Sequence, residues 1–431
     1  MFMKVKKRTL YQYILIYMML LFNQSNLYQV FIYPNQILVF LIVVFLMGIL
    51  LFSYKKIGLK VSWIVISFLF FTVMIRLVKG GIGIIFWCEI ALKIVIVYLA
   101  ILKDKEYFID RFVKIVFILA GISIIFWLLQ SLGINLAQKF FYHYFTQGTY
   151  AVYDKNWNRM LYNYEGYGIF IYTYLSAYPN RNVSIFTEPG VYQSVLNTAL
   201  FCIVIFPEYI YITKKKLLRI FIVIFIAIIT SQSTSGYFGL CAVLITILFR
   251  NKNNNWKRYI LKLLILGIAI IGIDYIIRGN ESLIEVAFLS KVFNTSKEFS
   301  LVAKNSTGIW RVATLQMSIL AMLKYPMGLG VDGWNEFMRS NFYSGPGGWP
   351  FKLGAILGII PFFLLLYWLF VPLKYLKKDY YAIVLFVFLY FNTTIAQTSA
   401  FYPVVILIPV YLNFMKYNIN KNEKYFLRYQ D

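Results

Sequence analysis

Apolar residues in this chain run in long unbroken stretches, and the polar residues gather between them. A bilayer core of about 30 Å needs about 20 apolar residues per helix, a rule that divides the chain into about twelve spans. They are residues 10–31, 36–53, 61–78, 82–102, 112–132, 191–212, 217–231, 236–249, 259–277, 353–371, 382–396 and 401–415. The seventh and eighth are short and flank Ser231-Gln-Ser-Thr-Ser-Gly236, so they read either as two spans or as a re-entrant or kinked pair. Lys4, Lys6, Lys7 and Arg8 ahead of an apolar stretch have the look of a signal peptide, but no small-residue cleavage site follows. That stretch is therefore read as the first span. The pattern predicts an all-α polytopic membrane protein, with residues 1–431 as a single integral membrane domain.

Two connections are far longer than the rest, residues 133–190 and 278–352, and loops of that length are usually functional or disordered. Their composition argues against disorder. The first is rich in tyrosine from Tyr142 to Tyr178, with Trp157 among them, and such rings suit a lipid interface or the flat face of a sugar. The second carries an apolar helical pattern through Trp310, Leu315 and Ile319, then a glycine-rich turn, Gly328-Leu-Gly330.

Composition agrees with the hydropathy pattern: 61% of residues are hydrophobic and only 14% charged, where soluble domains carry about 25% charge. The formal charge of +25 would suggest nucleic acid in a soluble protein. Here it follows topology. With the N-terminus inside, the basic connections around Lys55 and Lys56, 103–111, 214–219, 250–258 and 374–378 all fall on the cytoplasmic face. Both termini are then cytoplasmic, both long loops lie on the outer face, and nucleic acid is not an expected partner. Cys88, Cys202 and Cys241 sit in apolar segments without CxxC spacing, which indicates neither a disulfide framework nor a zinc site. His143 has no second imidazole with which to build a histidine metal cluster, and no cofactor is expected. The chain contains no GxxxxGK[ST], HExxH or GxSxG motif and no fixed-period repeat.

Candidate chemistry concentrates in the outer loops. Arg181, Arg278, Arg311 and Arg339 are forks suited to a phosphate or diphosphate, although a lone outer arginine equally snorkels to the interface or pairs with a carboxylate. Glu188 precedes Pro189 and Gly190, which suits a helix start as well as a general base for an acceptor hydroxyl. Asp332 is the second candidate base, in a glycine-rich setting that also describes an ordinary turn. Tyr192 follows directly on this stretch and is a candidate substrate contact. Within the spans, Glu89 and Lys93 stand at i and i+4 and read as a mutually satisfied ion pair.

Arg181-Asn-Val-Ser-Ile-Phe-Thr-Glu-Pro-Gly190, Ser233-Thr-Ser-Gly-Tyr237, and Arg311 followed by Tyr325-Pro-Met-Gly-Leu-Gly330 stand in an order that resembles the Wzy-type polysaccharide polymerases and the related O-antigen ligases. The resemblance implies a membrane-embedded, GT-C-like glycosyltransferase of the bacterial plasma membrane, inverting and metal-independent. It implies transfer of a growing chain from undecaprenyl diphosphate to a new lipid-linked repeat unit at the outer face. Arg181 and Arg311 would contact the donor diphosphate, and Glu188 would serve the acceptor. Membrane lipid, a chain-length regulator and a flippase are the implied partners. Ligases of this family use a histidine in the later long loop; none occurs within 278–352, which favours a polymerase. The alternatives are a ligase-like transferase and a lipid-linked oligosaccharide flippase or other transporter. A transporter has little need of two large outer loops, and many such folds show internal repeats.

Overall fold

The computed structural model describes residues 7–53, 84–153, 159–250, 272, 307–341, 347–376, 379–397 and 399–419. The expected spans 61–78 and 259–277 lie outside these residues, apart from Gly272. In chain order the helices begin with α1 (Lys7–Leu21), α2 (Gln36–Ser53), α3 (Ile84–Lys103), α4 (Phe108–Ser131) and the short α5 (Leu136–Phe140). After a three-stranded sheet come α6 (Pro189–Ile205), α7 (Lys214–Ser231), α8 (Thr234–Arg250), α9 (Thr307–Lys324) and α10 (Gly330–Ser340). The last four are α11 (Phe351–Leu357), α12 (Ile359–Phe370), α13 (Tyr380–Ala396) and α14 (Pro403–Ile419). Among the described residues, Phe108–Ser131 and Ile359–Leu376 are long and apolar enough to cross a membrane, and several other apolar helices are shorter.

The centre of the bundle is α6, which packs against α4, α7, α8, α13 and α14. All of its residues except Thr198 and Val204 are buried, the pattern of a helix enclosed on every side. Its buried amides are answered across the α8 interface. Gln193 Nε2 donates to Ser235 Oγ at 3.2 Å, and Asn197 Nδ2 donates to Gly236 O at 3.3 Å and, within α6, to Gln193 Oε1 at 2.7 Å. Glycine makes this contact close enough: a Cβ on Gly239 would lie 2.4 Å from Asn197 Nδ2. The Ser-Thr-Ser-Gly stretch is thus the start of α8 where it meets the central helix. Gln232, at φ 50°, turns the chain between α7 and α8, so the two short apolar segments form a helical hairpin.

Three expectations need correction. The fold is mostly helical, not all-α, because the first long loop builds an antiparallel sheet of β1 (His143–Tyr153), β2 (Arg159–Tyr167) and β3 (Tyr174–Leu175), in that order. Its register pairs His143 with Tyr167 and Tyr144 with Gly166, where the Tyr144 ring fills the space a side chain would need. Aromatic and β-branched residues favour a pleated, half-buried surface, and the tyrosines serve that pattern. The first span is also not one helix. It breaks after Leu21 at Asn23-Gln24-Ser25-Asn26 and resumes as a π-helical turn, Tyr28–Ile32. The tenth breaks at Gly358, φ 102°, between α11 and α12. There the glycine-rich turn docks: Ile359 N donates to Pro326 O at 2.8 Å, and a Cβ on Gly328 would lie 2.5 Å from Ile356 O. The close approach that those glycines allow is to backbone.

Candidate functional site

Residues 181–190 form a loop whose interior is spent on holding itself in place. Every side chain from Asn182 to Thr187 is buried, and only Arg181 and Glu188 at its two ends keep partial exposure. Asn182 Nδ2 donates to Ser123 Oγ and Thr230 Oγ1, both at 3.0 Å, which fixes the loop to α4 and α7. From the break in the first span, Asn26 Nδ2 donates to Phe186 O at 2.8 Å, and Thr187 N donates to Gln24 O at 3.3 Å. Ser184 takes φ 53°, and its N–H donates to Asn182 Oδ1 at 3.1 Å, a local side-chain turn that stabilises the left-handed backbone. Tyr192 is a further post. It is fully buried, with its ring stacked on Phe186 at 5.7 Å and its hydroxyl 2.8 Å from Ser123 Oγ.

Glu188 stands at the N-cap of α6 with extended backbone, yet its side chain makes no capping hydrogen bond. Pro189 fills the first helical position, where a missing N–H costs nothing. The carboxylate therefore does not serve as the helix start that its position suggests. Its electrostatic partner is Arg311, far away in sequence on α9. Burial pushes the Glu188 carboxyl above its ordinary pKa, and the Arg311 charge partly offsets that rise. Arg311 Nε is itself buried without a hydrogen-bond partner among the described residues.

Arg181 joins the same group through Tyr178. The Arg181 guanidinium lies 5.9 Å from the centroid of the Tyr178 ring, and Tyr178 also interacts electrostatically with Arg311. Burial lowers the Arg181 pKa, opposed by Tyr178 and Tyr237. Tyr164 on β2 reaches Glu188 electrostatically, and Tyr402, just before α14, does the same with Arg311. Two glycines let other elements close in. A Cβ on Gly190 would lie 1.9 Å from Gln397 Nε2, and one on Gly347, φ 95°, would lie 2.3 Å from Ile395 O. Glu188 thus interacts with Arg311 across elements distant in sequence, and Tyr178 links Arg181 to Arg311.

Of the residues read from sequence, the structure couples Glu188 to Arg311 electrostatically and links Arg181 to Arg311 through Tyr178. Tyr192 is nearby but buried, so it holds the loop. Asp332 and Arg339 lie on the exposed side of α10 and do not figure among the electrostatic partners of Arg181, Glu188 or Arg311. Arg278 lies outside the described residues. Sequence reading missed Gln24, Gln397 and Tyr402, and it took Tyr178 only as one of the rings of the first long loop. The polar run Asn23 to Asn26 inside an apolar segment was the available signal for the first. His143, the single histidine, stacks on Tyr167 at 4.5 Å with Nε2 3.9 Å from Glu165.

The family model described as O-antigen ligase, Wzy_C, matches residues 220–352. The matched stretch contains Arg311 and the Ser-Thr-Ser-Gly turn; Arg181 and Glu188 precede it. No curated protein and no solved structure matches the chain. Members of the matching family are polytopic membrane proteins that transfer lipid-linked glycans as ligases or polymerases. Residues 220–352 thus carry a Wzy_C domain, the domain of the family of Wzy-type polymerases and O-antigen ligases.

Proposed function

We propose that this protein polymerises undecaprenyl-diphosphate-linked repeat units at the outer face of the plasma membrane, and that Arg181, Arg311 and Glu188 carry the transfer. The observation supporting this most directly is the electrostatic interaction of Glu188 with Arg311, a carboxylate disfavoured by burial and a guanidinium whose Nε has no hydrogen-bond partner among the described residues. In the reaction, the bond between the anomeric carbon and the diphosphate oxygen breaks while the acceptor hydroxyl oxygen bonds to that carbon from the opposite face. The hydroxyl proton passes to Glu188, and the electron pair leaves on the diphosphate. Arginines aimed at that developing charge lower the barrier, and one such donor is typically worth about 10²- to 10³-fold in kcat. The raised Glu188 pKa suits a base working near neutral pH.

Polymerisation is favoured over ligation because the later long loop has no histidine, and the single histidine stands exposed at the start of β1 in the first long loop, stacked on Tyr167. Reconstitution in vesicles with purified lipid-linked repeat unit and no nucleotide tests the reading. The expected product is a ladder of lengthening chains on the lipid. Transfer of a single pre-made chain to a different acceptor would indicate a ligase, and movement of intact lipid-oligosaccharide without new glycosidic bonds would indicate a transporter.

A further inference from the structure

Beside the Arg311 group is a cavity of about 230 Å³ whose walls include Gln24, Gln29, Glu89, Lys93, Trp349 and Tyr402. It is joined to the transfer site in three ways. Gln24 O accepts the N–H of Thr187, next to Glu188. Tyr402 interacts electrostatically with Arg311. Trp349 follows the Gly347-Gly348 turn, where a Cβ on Gly347 would lie 3.5 Å from Arg311 Cγ. The cavity holds more than a few waters at about 30 Å³ each, but falls below the ~300 Å³ lower limit of pockets for drug-sized ligands. It is the size of one ring, not of an oligosaccharide.

The wall chemistry narrows the ligand. Lys93 is buried and donates to Glu89 Oε1 at 2.5 Å, while its ammonium also lies 5.5 Å from the Tyr402 ring centroid and 5.9 Å from that of Tyr28. The pair offers hydrogen-bond donors and acceptors side by side with no net charge. A sugar hydroxyl satisfies both, since it donates to the carboxylate and accepts from the ammonium. An anion would gain from Lys93 and be repelled by Glu89. Trp349, Tyr33, Phe401 and Tyr402 supply aromatic surface for the apolar face of a ring.

We infer that this cavity is a subsite for one neutral sugar ring of the glycan being transferred, with Glu89 and Lys93 reading its hydroxyls. The assignment deepens the transferase reading and rests on it, but its test needs no turnover. Saturation-transfer NMR on the full chain in nanodiscs, with free neutral hexoses, 6-deoxyhexoses, N-acetylhexosamines and hexuronates as probes, reads binding directly. The expected result is binding of at least one neutral sugar, weakened about tenfold in Glu89→Gln, lost in the cavity-filling Gln29→Trp, and retained in Gly121→Ala, a position with nothing within 4 Å of an added Cβ. Circular dichroism and elution of each variant as a monodisperse particle separate misfolding from loss of the subsite. Binding by no neutral sugar, a hexuronate binding most tightly, or neutral-sugar binding that survives Gln29→Trp would each overturn the assignment. Sugar binding by a chain that makes no glycosidic bond would leave the subsite standing and remove the transferase reading instead.

Discussion

At the scale of single residues, the proposed chemistry turns on Glu188 and Arg311. Burial raises the Glu188 pKa, so the carboxylate is protonated and inactive as a base at acidic pH and becomes competent as pH rises through that raised value. The acid limb of kcat/KM is therefore expected above the ordinary carboxylate range of about 4. Removing the opposing charge in Arg311→Gln should move this limb to higher pH, in addition to lowering the rate. A pH profile of transfer in vesicles measures both effects. Arg181→Ala is expected to cut kcat by about 10²- to 10³-fold with normal insertion, and Arg181→Lys to recover only part of it, because an ammonium lacks the fork that holds a diphosphate. Much of this group was legible from residue type: guanidiniums and a carboxylate in outer loops of an apolar chain call for a partner or a ligand. Residue type alone did not say which of them interact; that choice came from the resemblance. Asp332, the second candidate base, and Arg339 offered the same residue types as Glu188 and Arg181, yet they lie on the exposed side of α10.

At the scale of elements, the site depends on backbone held by buried amides. Asn182 bridges α4 and α7, and Asn26 carries the carbonyls of the 181–190 loop. Asn182→Leu should cost about 1–3 kcal/mol through the unsatisfied partners it leaves, seen as a lower Tm together with loss of transfer. Glycine gives an internal control. Gly347→Ala meets Ile395 O in a positive-φ conformation and is expected to destabilise the turn beside Arg311, whereas Gly121→Ala on α4 has nothing within 4 Å and should be neutral or stabilising in the same thermal-unfolding assay. The helices were largely visible as apolar runs, and α2 coincides with its expected span of 36–53. What the runs concealed were the breaks at Asn23 and Gly358 and the sheet. An apolar run reports burial, whereas a break is set by a glycine conformation or a polar contact with a distant element.

At the scale of the whole molecule, polar contacts sort into two ends. At one, Asp110 Oδ1 accepts from Tyr211 N at 3.1 Å, and Arg250 Nε pairs with Asp379 Oδ2 at 2.8 Å, joining the basic connections expected inside. At the other are the sheet, the 181–190 loop and the Arg311 group. In a background without native cysteines, a cysteine at Tyr142 is expected to react with an impermeant maleimide on intact cells, and one at Lys215 only after permeabilisation; the reverse would invert the topology. The family match covers the stretch that supplies Arg311, while Glu188 comes from the segment ahead of it. The claim that these two segments form one catalytic unit is open to a double-mutant cycle. Single-turnover transfer of lipid-linked repeat units by Glu188→Gln, Arg311→Gln and the double variant should show a double loss close to that of the worse single variant. Full multiplication of the two single losses, or wild-type turnover in Glu188→Gln, would contradict it.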